Sequence, residues 1–188
     1  WGGDSKGRFI IETDAFEDEY LGAFPYIYDS NTKEFIYMSQ GFRPQVLLEN
    51  GTVYGHNGTL FRWTKERGKE EIFDPRMNGI VVESATQSGR VFGFGLGAGG
   101  STSFDSGAFI FENEKVTKLI DLVPQFDKNV IEIAGGHQTP EGVIFVPTWD
   151  KVKKVQVNYR LDPVPEPASL AVLAFGLAAL RRRKPAGA

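Results

Sequence analysis

The sequence predicts an all-β protein built from repeated short antiparallel strands, and three observations support this. The chain of 188 residues is rich in glycine and phenylalanine, with 22 and 15 residues respectively. Its apolar residues alternate with a period of two between turns of Gly, Asn and Asp. A turn, a glycine and an alternating β-branched and aromatic strand recur about every 40 residues, a spacing typical of propeller blades.

Four segments carry this repeat, and each opens with a turn glycine. The glycines are Gly7, Gly51, Gly89 and Gly142, at intervals of 44, 38 and 53 residues. The strands that follow them are predicted at residues 8–10, 52–55, 90–93 and 143–145. We expect each glycine to supply the positive φ of a turn, because a residue without Cβ adopts it at little steric cost.

A second and a third strand follow behind the first three turn glycines. The second strands are predicted at residues 25–28, 60–63 and 108–111, and the third at 34–37, 70–73 and 116–120. Their aromatic residues are expected to fill the space between neighbouring sheets, which one sheet alone could not bury. About four units fit into residues 1–160, so the sequence predicts a partial or irregular β-propeller, with a β-sandwich as the alternative.

The composition changes at Leu161, which divides the chain into a body, residues 1–160, and a tail, residues 161–188. Prolines at positions 163, 165 and 167 hold the start of the tail extended. The uncharged stretch 168–180 follows, and as a helix it would reach about 20 Å, short of a hydrocarbon core of roughly 30 Å. Four cations come next and are expected to stay cytoplasmic, leaving the body outside: Arg181, Arg182, Arg183 and Lys184.

Val164, Pro165, Glu166 and Pro167, followed by the short apolar helix and the arginine cluster, resemble the PEP-CTERM sorting domain over residues 163–184. The resemblance implies that an exosortase recognises Pro165-Glu166-Pro167, cleaves nearby and passes the mature protein to the cell surface or extracellular polysaccharide. The apolar stretch would then be a transient membrane segment, with the members Ala168, Leu170, Leu173, Phe175, Leu177 and Leu180. A permanent anchor and a helix buried in a soluble core are the alternatives.

The body resembles the HAF-type extracellular repeat, best over residues 89–122. Gly-x-Val-x-Gly at 89–93, Ala-Phe-Ile-Phe at 108–111 and Leu-x-x-Leu at 119–122 carry the resemblance, and the last of these is expected to be a strand. The chain opens at Trp1 without an initiator methionine or a leader, so either a signal peptide has been removed or an N-terminal part is missing, and we expect the second.

Few groups in the body are suited to catalysis or metal binding. The absence of cysteine excludes disulfides, Cys-ligated zinc and a thiol nucleophile. His56 and His137 are isolated beside glycines and are interpreted as surface turn residues. The acidic run 12–19 lacks the order of a calcium loop and is interpreted as a solvated loop. No helix follows the glycine-rich stretch 93–101, so we expect a flexible loop rather than a phosphate cradle.

The sequence favours a non-catalytic, secreted surface or matrix protein that uses no cofactor and no metal. Its expected partners are exosortase, the inner membrane transiently through the tail, and extracellular polysaccharide as a candidate ligand. Residues 1–160 hold 17 basic and 22 acidic side chains, which gives no electrostatic attraction to nucleic acid.

Two other hypotheses stay open. One is a secreted propeller enzyme that degrades polysaccharide, with Asp29, Asp105 and Asp150 as candidate carboxylates and some catalytic residues outside this chain. The other is a structural subunit that self-associates through open sheet edges.

Overall fold

The structure, a computed structural model, describes residues 2–13, 24–41, 43–96, 107–123, 125–127, 130–133 and 135–163. Within these ranges, fifteen strands form four antiparallel sheets, and one helical turn lies between two of the strands. The predicted all-β class is confirmed. The predicted tail helix lies outside the described ranges, and no helix within them is long and apolar enough to cross a membrane.

The first and second sheets are meanders in which each strand pairs with the preceding one. The first sheet contains β1 (Arg8–Thr13), β2 (Phe24–Asp29) and β3 (Glu34–Tyr37). The second sheet contains β4 (Arg43–Leu47), β5 (Val53–Asn57), β6 (Thr59–Thr64) and β7 (Gly68–Ile72).

The third sheet is a further meander of β8 (Met77–Ala85), β9 (Val91–Leu96), β10 (Ala108–Glu112) and β11 (Lys115–Lys118). The fourth contains β12 (Ile131–Ile133), β13 (His137–Gln138), β14 (Ile144–Asp150) and β15 (Val155–Leu161). Strands β12 and β13 pair with the two ends of β14, and β15 pairs with its full length. Each sheet is therefore made from one continuous stretch of chain.

Packing links each sheet to the next through alternate side chains of the same strands. In the second sheet, Val53 and Trp63 belong to the core shared with the first sheet, whereas Tyr54 belongs to the core shared with the third. In the third sheet, Phe109 packs toward the second sheet and Phe92 toward the fourth. The period of two thus places apolar groups on both faces of the central sheets.

Burial on both faces distinguishes this arrangement from a two-sheet sandwich, in which each sheet buries one face. Four sheets that follow one another in chain order and pack face to face resemble successive propeller blades. The propeller assignment itself stays a prediction.

The repeat glycines have the turn role that the sequence predicts. Their φ angles are 78° at Gly7, 90° at Gly51, 88° at Gly89 and 88° at Gly142. At all four, the glycine N–H donates to the carbonyl three residues earlier, at 2.9–3.3 Å. The residue that carries this carbonyl donates its own N–H to the carbonyl of the residue after the glycine, at 2.8–3.0 Å. One turn type therefore precedes one strand in each sheet: β1, β5, β9 and β14.

Two predictions about individual segments are wrong. Strand β11 ends at Lys118 and a helical turn, α1 (Leu119–Leu122), follows where a strand is expected at 119–122. The turn brings Leu119 and Val123, four residues apart and so on one side of the helix, into the core shared with the fourth sheet. The expected loop at 93–101 is wrong for residues 93–96, which belong to β9, and residues 97–101 lie outside the described ranges.

Candidate functional site

The four glycine turns are linked to one another in order, and we call them the turn row: residues 4–8, 48–52, 86–90 and 139–143. The Arg8 guanidinium donates to the carbonyl of Glu49 at 2.8 Å, which joins the first turn to the second. The Glu49 N–H donates to Gln87 Oε1 at 2.9 Å, and the Gln138 amide donates to the Arg90 carbonyl at 3.1 Å. Hydrogen bonds thus fix the position of each sheet relative to its neighbour.

Asp4 organises the first turn of the row. Its Oδ1 accepts from the N–H groups of Lys6 at 3.0 Å and Arg8 at 2.9 Å, and its Oδ2 accepts from Arg8 Nε at 2.7 Å. The carboxylate is fully buried and also pairs with the terminal nitrogen of Arg8. Burial alone would raise the pKa of Asp4, but the hydrogen bonds from Arg8 outweigh it and hold the pKa below its ordinary value.

We expect Asp4→Asn to destabilise the body at neutral pH by about 1–2 kcal/mol, because the amide loses the charge-assisted bonds to Arg8. A carboxyl whose pKa is lower in the folded state stabilises the fold at pH above its unfolded pKa of about 4. This contribution is lost as pH falls through the folded value. Urea unfolding between pH 7 and pH 2.5 should therefore show the difference between wild type and Asp4→Asn shrinking with acidity. A difference as large at low pH as at neutral pH would contradict the assignment, and Asp162→Asn, at an exposed carboxylate, is the control.

The candidate catalytic carboxylates within the described residues are used to shape turns. Asp29 Oδ1 accepts from the N–H groups of Asn31 at 2.9 Å and Thr32 at 3.4 Å. Asp150 Oδ1 accepts from Lys153 N–H at 2.8 Å and Val152 N–H at 3.0 Å, and these bonds, that of Lys153 first, lower the pKa of Asp150.

The structure does not bring these two carboxylates together. Asp29 lies in the first sheet and Asp150 in the fourth, at opposite ends of the packing order. Asp105 lies outside the described residues, as do Asp14, Glu17, Asp18 and Glu19 of the acidic run, whereas Glu12 lies in β1.

The two histidines are also separate, since His56 lies in β5 of the second sheet and His137 in β13 of the fourth. Both lie in strands rather than in turns, which corrects the interpretation from the sequence. Burial, and then the charge of Arg43, lower the pKa of His56, so its imidazole is neutral near pH 7. In the described part of the chain, no three His, Asp or Glu side chains come together as a metal site would require.

The most distinctive surface is the outer face of the first sheet, which the sequence analysis missed. We call it the aromatic face, and it consists of Phe9, Ile11, Phe24, Tyr26, Tyr28, Phe35 and Tyr37, which the strand register places on one side. Phe35 is 62% exposed, Tyr37 48% and Phe9 47%. Ring centroids of Tyr28 and Phe35 lie 4.8 Å apart, and those of Tyr26 and Tyr37 lie 5.4 Å apart. Three of the seven side chains are thus largely exposed, and the other four are half-buried.

The aromatic face could not be assigned from the alternation of residues. Strand β2 reads Phe-Pro-Tyr-Ile-Tyr-Asp, so both of its faces are apolar. The sequence predicts the aromatic residues between sheets, but the core contains Ile10, Ile27 and Met38 from this part of the chain, and the larger rings point outward.

The tail leaves the body beside a groove between the third and fourth sheets. This groove of about 430 Å³ is lined by Arg90 and Glu112 on one side and by Leu161 and Pro163 on the other. Asp162 and Pro163 are exposed. The residues predicted to form the processing motif, the membrane segment and the basic cluster, from Val164 onward, lie outside the described ranges.

These features describe a body of successive β-sheets whose last strand is followed at the surface by the first residues of the tail, Asp162 and Pro163. That tail is a PEP-CTERM protein-sorting motif, which matches residues 163–184. The motif directs export through the inner membrane and then to the cell surface or extracellular space, with exosortase as the processing partner. Neither the curated proteins nor the solved structures contain a match to this chain, and the resemblance of the body to HAF-type repeats finds no support in these comparisons.

Proposed function

We propose that residues 1–160 form a non-catalytic binding or structural domain of a cell-surface or extracellular-matrix protein, which is released from its tail by exosortase. The observation that carries this proposal is the position of the sorting motif. It begins at Pro163, two residues after β15 ends, where the chain is exposed. A processing enzyme could therefore reach the motif without unfolding the body.

Each part of the tail has a separate role in this proposal. Pro165-Glu166-Pro167, together with Val164, forms the recognition sequence, which the prolines keep extended. Residues 168–180 hold the precursor in the membrane, and the cluster 181–184 keeps its end on the cytoplasmic side. Cleavage near the recognition sequence separates the body from both.

The chemistry of the described body supports a non-catalytic role. Two of the three candidate catalytic carboxylates, Asp29 and Asp150, accept hydrogen bonds from backbone N–H groups of turns, and they lie in different sheets. The aromatic face offers exposed rings for contact, with Phe35, Tyr37 and Phe9 about half exposed or more. Aromatic surfaces contribute to binding through buried area and ring stacking, not through proton transfer.

We expect Glu166→Gln to abolish or strongly reduce tail removal, because a recognised carboxylate is replaced by an uncharged group of the same shape. The N-terminally tagged full-length chain is produced in an exosortase-bearing host and in a strain without the enzyme. Intact mass and C-terminal sequencing then locate the end of the mature protein. The wild type should lose its basic cluster only when exosortase is present.

The matched control is Asp162→Asn, which makes the same chemical change at an exposed carboxylate just before the motif. It should be processed like the wild type. A basic cluster retained in both strains would show that the tail is a permanent anchor or a core helix. Depolymerisation of the host polysaccharide by the purified mature protein would overturn the non-catalytic assignment.

A further inference from the structure

We propose that the groove at the end of β15 binds the chain's own next residues, 164–166, and that the Glu166 carboxylate pairs there with Arg90. The groove lies between the third and fourth sheets, and its volume of about 430 Å³ falls within the roughly 300–1,000 Å³ typical of ligand sites. This inference rests on the proposed function only where it concerns processing, because docking of the segment can be measured without exosortase.

Two glycine turns place an arginine in the same way. Arg8 and Arg90 each follow the turn glycine of their own sheet and reach the turn glycine of the next sheet. A Cβ built on Gly51 would lie 3.2 Å from Arg8 Nη1. A Cβ built on Gly142 would lie 3.6 Å from Arg90 Nη1. The two arginines therefore occupy equivalent positions in the repeat, and their partners can be compared directly.

The comparison shows what Arg90 lacks. Asp4 accepts from the Arg8 N–H with Oδ1 at 2.9 Å and from Arg8 Nε with Oδ2 at 2.7 Å. The third turn has Thr86 at this position, and its single side-chain oxygen accepts from the Arg90 N–H at 3.1 Å. Arg90 Nε is buried without a hydrogen-bond partner among the described residues. Glu112 Oε2, at 3.7 Å, is near enough for an ion pair but too far for a hydrogen bond.

The tail enters this groove directly from the body. Leu161, Asp162 and Pro163 all line it, and Pro163 Cγ would lie 3.4 Å from the same Cβ on Gly142. Prolines at positions 163, 165 and 167 favour a polyproline II helix, which has three residues per turn. Residue 166 would therefore lie on the same side of the chain as Pro163, about 9 Å further along.

The charges in the groove select Glu166 as the partner of Arg90. Asp162 is already paired, since its Oδ1 accepts from Arg160 Nε at 3.0 Å and from Nη2 at 2.8 Å. Glu166 is the next carboxylate along the chain. A carboxylate that accepts from a guanidinium forms one of the stronger hydrogen bonds in proteins, as Asp4 does in the first turn.

Apolar surface beside Arg90 completes the site. Leu122 lines the groove and is 48% exposed, and Val164 with Pro165 would cover it. A segment tethered by a few residues has an effective concentration in the millimolar range. Even a contact with a dissociation constant of about 1 mM would then be substantially occupied. An external acidic ligand would have to compete with this tethered segment.

The test measures whether the tail covers Leu122. Since the chain has no cysteine, Leu122→Cys introduces one thiol at the groove, and its rate of reaction with a maleimide reports its exposure. The full-length protein is purified in detergent from a strain without exosortase, and Glu166→Gln or Arg90→Gln is added to the thiol variant. Glu141→Gln is the matched control, because it makes the same change at an exposed carboxylate beside Gly142. Far-ultraviolet circular dichroism confirms that each variant is folded.

Glu166→Gln should raise the rate about threefold or more, because a thiol covered for two-thirds of the time reacts at one-third of its free rate. The control should leave the rate unchanged. Arg90→Gln should also raise it, although the loss of a nearby positive charge would by itself make a thiol less reactive. Equal rates in all variants would overturn the proposal, and so would a rise with Glu166→Gln alone.

An external occupant is tested with glucuronate, a sugar that carries a free carboxylate. A thiol that is slowed by added glucuronate but not by the tail would assign the groove to an external acid and overturn the proposal. If the tail occupies the groove, glucuronate should change the rate only in the Glu166→Gln variant or not at all.

Processing supplies a second readout in an exosortase-bearing host. Docking holds the motif against the body, so Arg90→Gln should shorten the half-time of tail removal in a pulse-chase experiment. A half-time that stays the same or lengthens would contradict a docked motif. A tail that is never removed would instead contradict the proposed processing, and the thiol rates, measured without exosortase, would still decide whether the segment docks.

Discussion

Gly93→Ala is expected to destabilise the body by at least about 3 kcal/mol, the upper end of the usual cost of overpacking a core. Gly93 closes the Gly-x-Val-x-Gly motif and lies in β9, between two neighbouring strands. A Cβ added there would lie 2.4 Å from the Val81 carbonyl oxygen and 2.8 Å from Phe109 Cζ. The first neighbour is backbone and the second is a fully buried ring, so neither can move away cheaply.

The control for this prediction is Gly58→Ala. Gly58 has φ of 79° and no atom within 4 Å of an added Cβ, so alanine there pays only for its left-handed backbone, about 1 kcal/mol. Urea unfolding followed by tryptophan fluorescence compares the two free energies of unfolding. Equal losses in the two variants would show that close approach of the β8 backbone is not what requires glycine at position 93.

Phe109→Ala is expected to lower the free energy of unfolding by about 3–5 kcal/mol, as truncation of buried phenylalanine generally does. Phe109 is 0% exposed and lies in the core between the second and third sheets, with Leu60 and Val91. Since a domain of this kind is stable by only about 5–15 kcal/mol, this loss removes at least about a fifth of the total and should lower the melting temperature clearly.

Phe73→Ala provides the comparison, because its side chain is 73% exposed and the same substitution there should change stability by less than about 0.5 kcal/mol. Differential scanning calorimetry separates the two cases. A Phe109 variant that melts with the wild type would mean that the second and third sheets do not share this core.

The elements that the sequence predicted best are those with a strong local signal. The four turn glycines have the positive φ that was expected, and the strands behind them lie in β2, β3, β6, β7 and β10. Each combines alternating apolar residues with a defined turn. Local chemistry was sufficient at these positions, because a glycine turn and an amphipathic strand specify the same hairpin.

Four of the five strands missing from the sequence prediction have weaker or broken patterns, whereas the fifth, β15, alternates clearly and was simply missed. Strand β4 contains Pro44 and a register shift between Pro44 and Val46, which interrupt the alternation. Strand β8 has two such shifts. Strands β12 and β13 have three and two residues, too few for any periodicity. Their positions depend on pairing with β14, which is a tertiary effect.

The aromatic face shows a different reason why a prediction from the sequence fails. A strand with apolar side chains on both sides, such as β2, is typical of a central sheet, and the sequence offers no reason to place it at an end. Only the packing order shows that Ile27 is covered and that Phe35 and Tyr37 are not.

The construction of each sheet from one continuous stretch has a consequence for how an exported chain reaches its native state. A polypeptide that emerges from a membrane channel amino end first can pair the strands of its first sheet before the second has crossed. Each later sheet can then pack on the sheet before it. Hydrogen bonds at or next to the consecutive glycine turns join the two. Contacts between residues close in sequence form quickly, and with no cysteine in the chain, maturation outside the cell requires no oxidation step.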